Sequence, residues 1–377
     1  GLVQRQLNSI LQRRRLARSL LFSTHLSLFT SFLASIWAIK YQSNISHYSV
    51  TFSNIHVTQL RIYRQPRQIM NSSDNISGDS SPWLIYLDKR LSPEALEDWT
   101  GVDSDILNIL RNMLLALGNA ETAANEAVQR IQKCYTLNYL KEEAPERKEP
   151  DHGAKLFIHS LCTFIFELAS QIPYAGIKHE ALARLIVGLK DKAAQEFNEE
   201  DPQLLYDNEA LLWVAEEKWN RCRIHSVDKI NNLLEAKCNV WINTAAFLAR
   251  LVDADMLGID GVRWAAFDVE EGLGGAEDDK RANDQIRCCR AVVAAQYIQL
   301  AGSVIAREIK VPTSQLVHPK WVPPMDKEKW DTWATQLNRI ANSEIIYGAE
   351  YGLKSEVRKA HVKMMDITAA LFSDDTN

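Results

Sequence analysis

Apolar residues recur at three- and four-residue spacing along most of the chain, a pattern that is typical of amphipathic helices. Over residues 103–117 this period is unbroken, and it stops at Gly118, a residue type that commonly follows a helix C-terminus. Asn119 then offers an N-cap side chain for a second helix that runs to about Leu140. Two consecutive helices with a short connection are therefore predicted here.

The same period continues beyond a charged loop that contains two prolines, residues 141–153. It predicts further helices at about residues 154–172, 176–197, 202–221, 227–257, 261–273, 281–308, 326–343 and 347–372. No alternation typical of a β-strand persists beyond about five residues, and no repeat signature recurs. We expect residues 83–377 to form one all-α domain, an irregular array of about ten helices packed in pairs.

Two of these helices have the composition of inner elements. Residues 240–252 place apolar side chains over about half of the helix circumference and leave a narrow polar seam. Residues 291–305 are apolar nearly all round and rich in alanine, and small side chains let neighbouring helices approach closely. The Ala-rich segment is therefore predicted to be the buried central helix.

Composition separates the first 69 residues from the rest. They contain nine Arg and Lys but no Asp, Glu or Met, and the overall charge of −5 leaves −14 on residues 70–377. We expect residues 1–69 to be upstream sequence translated from an imperfect gene model, with Met70 as the start. The alternatives are a mitochondrial presequence and a signal-anchor over residues 20–39. Residues 70–82 are polar and turn-forming, and we expect them to be a disordered leader.

The acidic body and the absence of familiar motifs narrow the function. An acidic surface repels phosphate backbones, so no nucleic-acid partner is expected. The chain has no phosphate loop, no zinc or di-iron ligand spacing and no nucleophile elbow, and neither a cofactor nor a metal is expected. Six cysteines lack the Cys-x-x-Cys spacing and suit a reducing compartment. We expect a cytoplasmic protein, or a mitochondrial or membrane-anchored one if residues 1–69 belong to it.

The aromatic and Ala-rich motifs of the second half resemble a known family. These motifs are Trp241-Ile-Asn-Thr-Ala-Ala-Phe-Leu-Ala-Arg-Leu251, Trp264-Ala-Ala-Phe-Asp-Val-Glu-Glu271, the Ala-rich helix to Ile305, and Trp330-x-x-Trp333. Over roughly residues 100–370 the chain is similar to the fungal domain-of-unknown-function family numbered 3632. The resemblance implies an intracellular helical fungal protein, and it implies no activity, substrate or catalytic residue.

Within these motifs, Arg250 and Glu270 or Glu271 are the charged candidates for a site. The favoured interpretation is an ion pair between two core helices, with Trp241 and Trp264 simply buried. The alternative is an anion or partner site for which the two tryptophans form the walls.

Two classes of function follow from these alternatives. We expect a non-enzymatic interaction or scaffold protein that binds an unknown protein partner and has no catalytic residue. Contact with a membrane is expected only if residues 20–39 are an anchor. The alternative is an enzyme or small-molecule binder with a pocket lined by Trp241, Arg250, Trp264 and Glu270.

Overall fold

Helices account for nearly all of the chain that the computed structural model describes, which is residues 81–96, 101–116, 118–135, 150–196, 208–224, 233–274, 284–310, 325–343 and 350–372. The helices are α1 Pro82–Arg90, α2 Pro93–Leu96, α3 Gly101–Leu115, α4 Ala120–Tyr135, α5 Pro150–Gln171, α6 Ile177–Glu196, α7 Asn208–Cys222, α8 Leu234–Asp253, α9 Gly258–Leu273, α10 Asp284–Lys310, α11 Lys327–Asn342 and α12 Leu353–Phe372. A 3₁₀ turn, Glu350–Gly352, precedes α12. These residues contain no strand, and the all-α prediction is confirmed.

Side-chain caps fix two of the helix starts. The Asn119 side chain accepts a hydrogen bond from the backbone N–H of Glu121 at 2.8 Å, as its predicted N-cap role requires. Asp326 does the same for the N–H of Lys329, also at 2.8 Å, where α11 begins. Each cap satisfies a donor that the first helical turn leaves without a partner.

Residues 1–80 lie outside the described part of the chain. The expectations for Met70, for the anchor at residues 20–39 and for most of the polar leader therefore stay predictions. Pro82 already belongs to α1, one residue before the predicted start of the domain.

The predicted charged loop at residues 141–153 is wrong at its C-terminal end. Helix α5 begins at Pro150, so residues 150–153 are helical. Proline is favoured in the first turn of a helix because the N–H that it lacks has no intrahelical partner there. Residues 141–149 lie outside the described residues.

The predicted helix at residues 227–257 is also too long at its C-terminal end. Helix α8 ends at Asp253, and Asp255 has a positive φ of 53°. The N–H of Met256 reaches back to the carbonyl of Leu251 at 2.9 Å and closes the helix end. This turn leads the chain directly into α9.

Helix α10 is the buried centre of the C-terminal half, as predicted. Residues 288–298 are buried without interruption, which covers every side of the helix. α8, α9 and α12 pack against it, with further contacts from α11 and the 3₁₀ turn. By length and composition α10 could cross a membrane, but 78% of its most apolar window is buried inside this fold.

Helix α8 connects the two halves of the described array. It packs against α5, α6 and α7 on one side and against α9 and α10 on the other. The wide apolar face predicted from residues 240–252 serves both sets of neighbours, because Ala245, Phe247, Leu248 and Leu251 are all buried. α3, α4 and α6 pack together in the N-terminal half.

Helices α9 and α10 approach closely at Gly272, which lies inside α9. A Cβ atom at Gly272 would lie 2.5 Å from the carbonyl oxygen of Arg290 and 2.8 Å from the Cβ atom of Ala294. Because the Arg290 carbonyl oxygen is a backbone atom, it could move away only if α9 or α10 shifted. The absence of a side chain therefore sets the distance between the two helices.

Gly272→Ala should lower the free energy of unfolding by about 1–3 kcal/mol, the range for overpacking a well-packed interior. Chemical denaturation of both proteins measures this difference. Gly118→Ala is the matched control, because nothing lies within 4 Å of a Cβ atom there, and its stability should be unchanged or slightly raised. Equal stability of the two variants would contradict the close packing at Gly272.

Candidate functional site

The main concentration of buried charge among the described residues joins α7, α9 and α10. Arg223 directly follows α7, Asp268 and Glu271 belong to α9, and Arg290 belongs to α10; we call these four residues the ionic cluster. Nη2 of Arg223 lies 2.5 Å from Glu271 Oε2, and its Nε lies 3.3 Å from Asp268 Oδ1. Nη2 of Arg290 lies 3.0 Å from Glu271 Oε1. Glu271 thus bridges two guanidinium groups.

Aromatic rings enclose the Arg223 end of the ionic cluster. The guanidinium carbon of Arg223 lies 4.4 Å from the ring centre of Phe267 and 4.8 Å from that of Trp219. The Trp219 indole stacks on Trp264 at 5.6 Å and donates its N–H to Asp268 Oδ2 at 2.9 Å. The rings therefore support the cation and exclude water from it.

Burial shapes the electrostatics of this cluster. The side chains of Arg223, Asp268 and Arg290 are less than a tenth exposed, and that of Glu271 is 20% exposed. Burial raises the pKa of Asp268 to about 7, although Arg223 and the hydrogen bond from Trp219 favour its ionised form. Burial and the nearby Asp268 also raise the pKa of Tyr297.

The arrangement can hold charge but offers little room for chemistry. Two guanidinium groups face two carboxyl groups, so the cluster carries little net charge when all four ionise. A raised carboxyl pKa is typical of an acid catalyst when the group lines a cleft. Asp268, however, is fully enclosed by protein. Its geometry is that of an interhelical ionic contact.

The structure does not bring the sequence-predicted site residues together. Arg250 is half-buried and donates a hydrogen bond to the carbonyl oxygen of Tyr174 at 3.3 Å. Glu270 accepts hydrogen bonds from Lys329 and from the indole N–H of Trp333, at 2.9 and 2.8 Å. Glu271 belongs to the ionic cluster. The predicted pairing of Arg250 with Glu270 or Glu271 is therefore wrong.

The two predicted tryptophan walls are also separate. Trp264 stacks on Trp219 beside the ionic cluster. Trp241 is 1% exposed on α8, and its indole N–H has no hydrogen-bond partner within the described part of the chain. Both side chains are buried, as the favoured interpretation of the sequence assumed.

An open cavity of about 500 Å³ lies away from these residues, where the end of α8, the start of α9 and the end of α10 meet. Val252, Ile259, Val262 and Val304 form its apolar part. Its charged residues are Asp253, Asp255, Arg307, Glu308 and Lys310. Across the described ranges, no group of three or more His, Cys, Asp or Glu side chains could hold a metal ion.

Sequence reasoning missed Arg223, Asp268 and Arg290. For two of them, the sequence contains a feature that indicates a buried charge. Arg290 directly precedes the Ala-rich run of α10, where a charge needs a buried partner. Asp268 lies four residues after Trp264 and therefore on the same, buried side of α9. Arg223 follows the end of a helix, and no periodic pattern points to it.

Asp268→Asn should remove a specific pH dependence of stability. The Asp268 carboxyl binds its proton more tightly when folded, with a pKa of about 7, than when unfolded, at about 3.9. The native protein should therefore lose stability from this group as the pH rises from about 4 to about 7. The variant lacks that loss, so its stability relative to the native protein should rise across this window and then stay constant.

Urea unfolding of both proteins at several pH values measures this difference. The comparison is needed because burial lowers the pKa of His179 to about 3. That group acts in the opposite direction, since its contribution to stability is lost as the pH falls below about 6.5. A stability difference that stays constant from about pH 4 to 7 would contradict the raised pKa of Asp268.

Comparison with known proteins gives one match. The sequence model of a family described as protein of unknown function (DUF3632) matches residues 163–337. Neither the search of curated proteins nor the search of solved structures found a match. The matched region is shorter than the roughly 100–370 suggested by the motifs, but it contains the whole ionic cluster. The match of residues 163–337 to this family model supports the family that the motifs predicted.

Proposed function

We propose that this chain is a non-enzymatic interaction protein and that it binds a protein partner through the surface around Trp213. One observation carries the proposal: Trp213 on α7 is 64% exposed, whereas Trp219 on the same helix is 5% exposed. Tryptophan is among the residues most enriched at the energetic centres of protein interfaces. A large aromatic side chain left in water is therefore a candidate contact for a partner.

The helix that carries Trp213 is held firmly in place. Lys218 of α7 forms a salt bridge with Glu167 of α5, and the Trp219 indole N–H donates to Asp268 of α9. On α5 the ring of His159 packs against Trp213, with ring centres 5.4 Å apart. A contact residue on a fixed helix binds with a smaller loss of conformational entropy, which supports a role in recognition.

The charged groups of the protein interior support a structural role over catalysis. The ionic cluster pairs its charges across helices, and Glu270 pairs with Lys329. The alternative proposal, an enzyme or small-molecule binder, relied on a pocket shared by Trp241, Arg250, Trp264 and Glu270. The cavity of about 500 Å³ contains none of these four residues.

We also propose that the protein works in the cytoplasm, and that its source is fungal. All six cysteines are free, and five of them are buried. Free buried thiols suit a reducing compartment. The resemblance of the motifs to the fungal family is the support for the source.

A photo-reactive amino acid at Asn220 tests the proposed function. Asn220 is exposed and lies two turns after Trp213 on the same face of α7. In an extract of the native host, we expect a cross-linked partner that disappears when Trp213→Ala is added. Cross-linking should persist with Val362→Ala, which removes another exposed apolar side chain, on α12.

A melting temperature close to that of the native protein would show that Trp213→Ala keeps the fold. If the cross-links at Asn220 are the same with and without Trp213, the surface does not recruit a partner through this side chain, and the proposed function is overturned.

A further inference from the structure

We propose that the partner presents a segment rich in arginine or lysine, one cation of which stacks on the indole ring of Trp213. This inference rests on the proposed function and adds the chemistry of the partner. It follows from the charges that surround Trp213 on α7 and from the contacts that already occupy the nearby cations.

Acidic residues follow Trp213 on its own helix. Glu216 and Glu217 lie three and four residues after it. Residues at these spacings are neighbours on one helix face. Glu216 is exposed to solvent. The indole is thus bordered by two acids on the C-terminal side of the helix axis.

The basic residues of α7 do not neutralise this face. Lys218 is engaged in its salt bridge with Glu167 of α5. Arg221 is held by Glu217, with Nη2 2.9 Å from Oε1. Of the two described acids beside Trp213, Glu217 is therefore matched by a cation of the same helix, and Glu216 is not.

An exposed indole with acidic neighbours favours a cationic ligand for two reasons. The face of the indole ring carries a negative potential that attracts guanidinium and ammonium groups, with tryptophan the best of the aromatic side chains. The flanking carboxylates attract further cations of the same segment and speed its association. An acidic partner would meet repulsion from Glu216 instead.

The test uses the full-length chain and two short labelled peptides, one alternating arginine with leucine and the other with glutamate in place of each arginine. Fluorescence anisotropy should show binding of the arginine peptide, weakened by added salt, and no binding of the glutamate peptide. Trp213→Ala should weaken binding by about tenfold, a loss that corresponds to a cation–π contact in a partly desolvated interface.

The Glu216→Gln/Glu217→Gln double variant should weaken binding several-fold and reduce its salt dependence, because it keeps the side-chain shapes and removes the charges. Glu121→Gln/Glu126→Gln is the matched control. It removes two exposed acids from α4, so it makes the same change in net charge at another place. This control should bind the arginine peptide like the native chain.

Equal binding of the arginine peptide by the native chain and by either Trp213→Ala or Glu216→Gln/Glu217→Gln would overturn the inference. The two proposals fail separately. Cross-linking at Asn220 could depend on Trp213 but not on the two Glu→Gln changes or on salt. That result would support the interaction surface and contradict its cationic partner. If cross-linking does not need Trp213, the proposed function itself fails.

Discussion

The burial of residues 288–298 of α10 on every side is the constraint on which the described C-terminal half depends. A helical segment with no solvent-facing side must be met by other helices all round, and α8, α9 and α12 provide most of that cover. Small residues make this cover close: Gly272 of α9 lies against the backbone of Arg290 and the side chain of Ala294. Once these helices are in place, few alternative packings remain.

The same constraint accounts for the ionic cluster. Arg290 lies within the uninterrupted buried run of α10, and a buried guanidinium without a partner is costly. Glu271 supplies the partner from α9, and its second oxygen meets Arg223 after α7. The charge on α10 is thus balanced across three helices, and the same contacts hold α7, which presents Trp213 to solvent. The ionic cluster therefore helps to hold the helix that carries the proposed interaction surface around Trp213.

The sequence predicted the fold better than it predicted the site. Helical period, the Asn119 cap and the Ala-rich centre are local signals, and each of them appears in the structure. The pairing of Arg250 with Glu270 or Glu271 required knowledge of which neighbour each helix face meets. Successive residues of a helix point about 100° apart, so Glu270 turns to α11 while Glu271 turns to α10. The helical period of α7 did not predict that Trp213 is exposed, because a buried tryptophan would occur at the same spacing.

A double-mutant cycle between Arg223 and Glu271 tests the central claim most directly. Arg223→Met and Glu271→Gln, alone and together, should show a coupling of about 1–3 kcal/mol in the free energy of unfolding, because the two groups are in contact. A second cycle with Arg250→Met and Glu271→Gln should be additive within about 0.5 kcal/mol, since these residues do not touch. Additive behaviour in the first cycle, or coupling in the second, would contradict this account of how the helices are held together.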